Sequence, residues 1–289
     1  MTDALARNPR LKGADVGIPP RQLDFRLPAE LPRWAYAENA TATCFLAMLS
    51  AIFPPGEDFF VRSVLTFRDR VTDPKLQAEV RGFTGQEIIH SREHDRLNEA
   101  FTDRGFDLTV AVKAIEIALG ILDQLPARQR ITCTAMMEHF TALMGEELLA
   151  DEMFQERIHP DVAELWLWHA LEELEHKSVT YDVYETIGNV RAERLLAFGL
   201  VTAIVGPAAL IGWAGLMVQQ KVWERPGDIA AGIEMVFGRD SFLRRIAGKM
   251  PLFNRIDFHP DRRDTTALEE EWRERLFGTA GSLAGQLRH

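Results

Sequence analysis

The stretch that decides the reading runs Trp168-His169-Ala170-Leu171-Glu172-Glu173-Leu174-Glu175-His176. His169, Glu173 and His176 are separated by steps of four and three, so on a helix all three project from one face. Acid-x-x-His is a weak signal when it occurs once. With 43 acidic residues and 8 histidines in 289, chance supplies about one match. The chain has three: Glu87 with His90, Glu156 with His159, and Glu173 with His176. Glu156 and His159 abut Pro160, where a helix ends and the chain is wet, so that match is assigned to chance. The other two fall inside long helical patterns, on seams that are otherwise apolar.

Outward from this stretch the chain reads as all-α. Breaks stand at Pro54-Pro55-Gly56, Thr72-Asp73-Pro74, Gly105, Pro126, Pro160-Asp161 and Gly188-Asn189. No segment between them alternates with the period of a strand. Four long helices are expected, over 33–53, 74–104, 127–157 and 161–187. The second opens on a capping Asp73 with Pro74 in its first position. Its seam reads Val80, Phe83, Glu87, His90, His94, Leu97, Phe101. The first aligns Trp34, Glu38, Thr41, Phe45 and Leu49, and the third Ile131, Ala135, Glu138, Ala142, Gly145 and Leu149. Each apolar stripe is interrupted midway by Glu, His or both.

Composition limits the function classes. With 33 Lys plus Arg against 43 Asp plus Glu, the net charge of -10 repels a phosphate backbone, so no nucleic-acid partner is expected. The two cysteines, Cys44 and Cys133, lie in apolar runs without metal-ligand spacing, which points to core packing, a reduced compartment and a cytoplasmic location. Residues 1–32, rich in proline, read as an extended arm lying on the domain. Residues 33–190 form the helical body, 191–225 a hydrophobic helix, and 226–289 a helical tail with a solvated, mixed-charge face. From Leu195 to Val218, 24 residues carry no charge, enough to span a hydrocarbon core of about 30 Å. Two readings stay open for it: a helix buried in the protein or in a homodimer, and a helix inserted in a membrane, with the rest of the chain at its inner face; its many small residues favour close helix packing in either setting.

A buried carboxylate is costly unless it is paired or ligates a metal. Glu38, Glu87 with His90, Glu138, and Glu173 with His176 would converge from four helices, single then double then single then double. This is the ligand arrangement of ferritin-like di-iron and di-manganese carboxylate proteins, and it predicts a four-helix bundle with additional helices. Glu172, next to Glu173, points inward at least as well by seam geometry, and the resemblance to di-iron proteins, in which the acid at this place orients the histidine of the opposite helix, implies that it orients His90. His94 and His139 complete no pattern and read as hydrogen-bonded core residues. Glu93, Glu99, Glu146, Glu147 and Glu152 read as solvated helix faces.

The stretch from Trp34 to Glu185 resembles the bacterial family described as predicted metal-dependent hydrolases, regarded as ferritin-like. Its fourth helix, His169-x-x-x-Glu173-x-x-His176, also resembles that of the p-aminobenzoate N-oxygenase group of di-iron proteins, which implies His169 as an additional ligand. Four carboxylates, three imidazoles and no thiolate suit two iron ions, with manganese second, better than structural zinc. The expected activity is O2-dependent oxidation of an apolar small molecule, with electrons from a donor that the sequence does not identify. Phe140, Trp166 and Trp168 are the candidate walls of its pocket. The alternatives are a metal-dependent hydrolase that uses a metal-activated water, and a non-enzymatic iron-storage or oxygen-sensing protein.

Overall fold

The computed structural model describes residues 13–23, 25, 27 and 31–287, and among them the secondary structure is helical, with one isolated β-bridge between Tyr36 and Ile158. The helices are α1 (Ala40–Leu65), α2 (Pro74–Asp103), α3 (Thr109–Asp123), α4 (Ala127–Ala150), α5 (Glu152–Arg157) and α6 (Pro160–Glu175). They are followed by α7 (Val179–Thr186), α8 (Arg191–Gln219), α9 (Pro226–Phe237), α10 (Phe242–Lys249) and α11 (Thr266–Phe277). The all-α expectation therefore holds.

Local chemistry sets the boundaries. Asn39 caps α1 by accepting from the amide of Ala42, and Asp73 caps α2 by accepting from Leu76, with Pro74 in the first turn as expected. The expected end of the first helix at Pro54 is corrected: α1 runs through Pro54 and Pro55 for about three more turns, to Leu65. A proline at 54 cannot donate to the carbonyl of Ser50, and Asn98 Nδ2 from α2 donates to that carbonyl instead, at 3.2 Å. A tertiary contact thus replaces the lost helical bond. The expected third helix divides at Asp151, which ends α4 and caps α5 by accepting from Phe154. The expected fourth divides after Glu175, leaving His176 as the C-cap of α6.

Two apolar clusters form the core. On α1 the first holds Phe45 to Phe53 and the second Phe59 to Val64. On α2 the second holds Leu76 to Phe83 and the first Ile89 to Phe101, and on α4 the second holds Ile131 to Met137 and the first Leu143 to Leu149. Each helix changes cluster at a polar position: Glu57, Glu87 with His90, and Glu138. On α6 the same change occurs between Leu174 and Val179, across His176. A buried polar layer therefore crosses the molecule between two apolar ones.

The N-terminal and C-terminal regions close over this body. Ile18 to Leu23 lies on α2; most of the expected arm over 1–32 falls outside the described residues. The tail is more than a solvated face. Trp272 of α11 is buried and donates to the carbonyl of Leu149, and Phe242 and Phe253 are core residues.

Candidate metal centre

Seven side chains meet in the polar layer: Glu57 from α1, Glu87 and His90 from α2, Glu138 from α4, His169 and Glu173 from α6, and His176 at its end. None is more than 3% exposed. His176 Nε2 lies 3.1 Å from Glu87 Oε1 and 3.6 Å from both Glu138 Oε2 and Glu173 Oε2. His90 Nδ1 lies 3.7 Å from Glu173 Oε1 and 4.0 Å from Glu87 Oε1. His169 Nε2 lies 2.8 Å from Glu173 Oε1 and 3.7 Å from Glu57 Oε1. Three triads have donor atoms within 4.8 Å of one another: Glu57, His90, His169; Glu87, His90, Glu173; and Glu87, Glu138, His176.

Six of the seven expected donors are therefore brought together. Glu38 is the exception and a correction. It is exposed on the turn before α1, in left-handed backbone (φ 51°), because the helix begins after Asn39. Glu57, nineteen residues on, takes the inward place on α1. The missed signal was the spacing Phe53, Glu57, Phe60, Val64, a continuous helical seam once the two prolines are accepted inside the helix.

The donors are oriented from behind. His90 Nε2 meets Glu172 Oε2 at 3.0 Å, which places Glu172 where the sequence reading put it. His176 Nδ1 meets Gln86 Oε1 at 2.9 Å, and Ser91 donates to Glu57 Oε2 at 2.7 Å. His169 Nδ1 meets His94 Nε2 at 2.7 Å, His94 Nδ1 meets Ser50 Oγ at 3.0 Å, and Ser50 donates to Asn98 at 2.8 Å. His94 is thus a hydrogen-bonded core residue, and its partner is a member of the centre. His139 lies apart, packed on Phe253 and Phe258. Of the acids expected on solvated faces, Glu93 and Glu147 are buried, neutralised by Arg92 and Arg96 and by Arg245 and Lys249.

Of the atoms that face inward, His169 Nε2 and Glu173 Oε1 bond each other, and the others lack such partners. Glu57 Oε1, both oxygens of Glu87, both of Glu138, His90 Nδ1 and His176 Nε2 are buried without a hydrogen bond, and the 3.1 Å approach of His176 to Glu87 is outside hydrogen-bond alignment. Orphaned groups at this depth are costly, and their convergence fits a cation. Burial pushes Glu57 and Glu87 well above the usual carboxylate range and Glu138 up to about 7. It also drives His90 well below the usual imidazole value, helped by the neighbouring His169. For Glu173, burial is outweighed by His176 and His169, which hold it well below its ordinary value, and His176 is raised in return. A carboxylate-rich cage that holds protons when empty can exchange them for metal.

Aromatic rings seal the layer. Phe53 lies against His94 and His169, and Phe83 against His176. Trp168 packs edge-on to His90 and against Phe25, and Trp166 packs on Phe53 and His94. Phe140 is only partly buried and packs on the outer part of the core. A fourth group, Asp182, Glu185 and His259, is partly exposed, with His259 paired to Asp182 at 2.8 Å, an ordinary surface ion pair.

Comparison with the curated proteins and with the solved structures gives no match. A family model does match, over residues 19–264, a span that takes in all seven donors. The chain belongs to the family described as predicted metal-dependent hydrolase.

Proposed function

We propose that the chain is a dinuclear, carboxylate-bridged iron protein, ferritin-like in the arrangement of α1, α2, α4 and α6, that oxidises an apolar small molecule with O2. The observation that carries this reading is the pair of separate triads, Glu57-His90-His169 and Glu87-Glu138-His176, joined by a third, Glu87-His90-Glu173. Two triads with no shared member would hold two ions, and the third, which takes His90 from one and Glu87 from the other and adds Glu173, would join them. Four carboxylates and three imidazoles form a hard donor set, which favours iron and then manganese. An iron pair held there supplies reduction of O2 at the expense of an external electron donor.

The chain's own residues have defined tasks in this reading. Glu172, Gln86 and His94 fix the three imidazoles, and Ser91 fixes Glu57, so that the free nitrogens and oxygens point inward before an ion arrives. Phe53, Phe83, Trp166 and Trp168 exclude water, which strengthens every electrostatic contact inside. Burial of all seven donors favours a small gas over a bulky polar ester as the molecule that reaches the centre.

A second reading is favoured by the family's description: with a redox-inert pair the same cage would activate a water for ester or amide hydrolysis. One experiment separates them. Protein purified without oxygen should hold about two Fe per chain, and after reduction an O2 pulse should give oxygen uptake and a transient optical band. Silence in that experiment, together with ester or amide turnover, moves the function to hydrolysis; one Zn per chain overturns the dinuclear reading.

We also propose that the substrate comes from a lipid surface on which α8 lies in plane. Its outer face carries Leu196, Leu210, Ile211 and Val218, each more than half exposed, and is extended by Ile117 and Ile121 of α3. At its end the exposed Trp223 sits between Lys221 and Arg225, the residues favoured at a headgroup boundary. The inner flank packs on α3, where Gly212 and Gly215 admit Ala111 and Val110, so protein covers one side of the helix and lipid would cover the other. Co-sedimentation with neutral phosphatidylcholine vesicles should be strong and should be lost in the double substitution Leu210→Asp, Ile211→Asp. A dimer in solution that ignores vesicles, and that the same double substitution splits, would assign the face to a second copy instead.

A further inference from the structure

The polar network behind the donors does not end at Glu172 and Gln86. Two glycines of α2 let the N-terminal segment lie directly on the helix: a Cβ at Gly82 would stand 2.5 Å from the carbonyl of Ile18, and one at Gly85 2.5 Å from Pro20. The segment is held there by Gln86, whose Nε2 donates to the carbonyl of Pro19, and by Arg92, which donates to Gln22 and to the carbonyl of Leu23. This seat carries Arg21 into the interior, where it is 1% exposed.

Arg21 grips two carboxylates of α6. Nη1 donates to Glu172 Oε1 at 2.8 Å and to Glu175 Oε2 at 2.7 Å, and Nη2 donates to Glu175 Oε1 at 2.7 Å. From Glu172 the chain of bonds reaches His90, and from Glu175 it reaches Gln86, which donates to Glu175 at 3.1 Å while its Oε1 meets His176. Gln86 uses its amide nitrogen on Pro19 and Glu175, so its oxygen must accept, and His176 must carry its proton on Nδ1. With Glu172 ionised beside Arg21, His90 donates from Nε2 to it in the same way. Each imidazole then turns its other nitrogen toward the centre. A guanidinium suits this task because its planar fork grips Glu175 through two nitrogens while Nη1 also holds Glu172, a fixed geometry that the single point charge of an ammonium does not reproduce.

We propose that Arg21 is a positioning residue of the metal centre: the segment Ile18 to Leu23 sets the tautomer and aim of His90 and His176 through the clamp of Arg21 on Glu172 and Glu175. This rests on the dinuclear reading above. Two substitutions test it in the full chain. Arg21→Lys keeps the charge and removes the fork, and Gly85→Ala leaves every charge in place but pushes Pro20 and the segment off α2. Both should weaken Co2+ and Fe2+ binding, measured in competition with a chelator, by about 10- to 100-fold, the usual cost of losing a group that orients a ligand. Both should also change the visible spectrum of the Co2+ form, which reports ligand number and geometry, and a cooperative metal-free unfolding transition in each variant, at whatever midpoint, shows that the chain still folds. Wild-type affinity and an unchanged Co2+ spectrum in both variants would overturn the role of Arg21 and leave the centre standing. Failure of the parent protein to bind metal would instead overturn the centre itself.

Discussion

At Glu57 one carboxylate oxygen is tied to Ser91 and the other faces the centre unpaired, so Glu57→Ala deletes a donor without breaking a helix. Metal content should fall from about two ions per chain to one or fewer. Glu38→Gly is the contrasting substitution. It removes a carboxylate from an exposed left-handed position, so full metal content and a stability within about 1 kcal/mol of the parent are expected. The protonation of the cage gives a second test. Burial raises Glu138 to about 7 from an ordinary value near 4.5, and Glu172 likewise, despite Arg21. A raised carboxyl is neutral in both folded and unfolded chains at low pH. Between about 4.5 and 7 the unfolded chain loses its proton first, so the stability this group gives is present below that window and lost as pH rises through it. His176, Glu57 and Glu87, also raised, act in the same direction, and together these groups outnumber the lowered His90, His94 and His139, which act against them. Metal-free protein should therefore lose stability from pH 5 to pH 7.5 in chemical denaturation, and metal uptake at pH 6 should release protons into a weakly buffered solution. Flat stability across that range with no proton release would contradict the protonated cage.

Between elements, the closest approach near the centre is that of α4 and α6. A Cβ at Gly145 would stand 2.6 Å from the carbonyl of Ala170 and 3.3 Å from Cβ of Glu173. Gly145→Ala should cost about 1–3 kcal/mol by overpacking, despite the better helix propensity of alanine, and should weaken metal binding by displacing Glu173. Thermal unfolding and a metal titration of the variant measure the two effects. Gly145 stood on the expected seam of the third helix, so its place was legible, whereas its contact was not: spacing along one helix says which face turns inward and nothing about what meets it. The same limit explains α1. Pro54 and Pro55 read as a stop because a proline removes a helical donor, and the group that compensates, Asn98, lies 44 residues beyond Pro54 on another helix.

For the whole molecule, seven buried orphan atoms mean that the metal-free fold is held at a cost that an ion would relieve. Ligand binding to the folded state alone stabilises by about 2.7 kcal/mol at a free concentration 100 times Kd. Addition of Fe2+ under nitrogen should accordingly raise the unfolding midpoint by about 5–10 °C, with Glu57→Ala reducing the rise. The all-α class, the capped start of α2 and the inward place of six of the seven side chains in the polar layer are legible in the sequence, because they follow from helical spacing and from the cost of burying charge, while Glu172 behind His90 follows from the resemblance to di-iron proteins. The fourth carboxylate, the anchorage of His169 by His94 and the reach of Arg21 into the centre were decided only by the tertiary structure. Each of them depends on a contact between segments far apart in the chain, and periodicity along one segment carries no information about its partner.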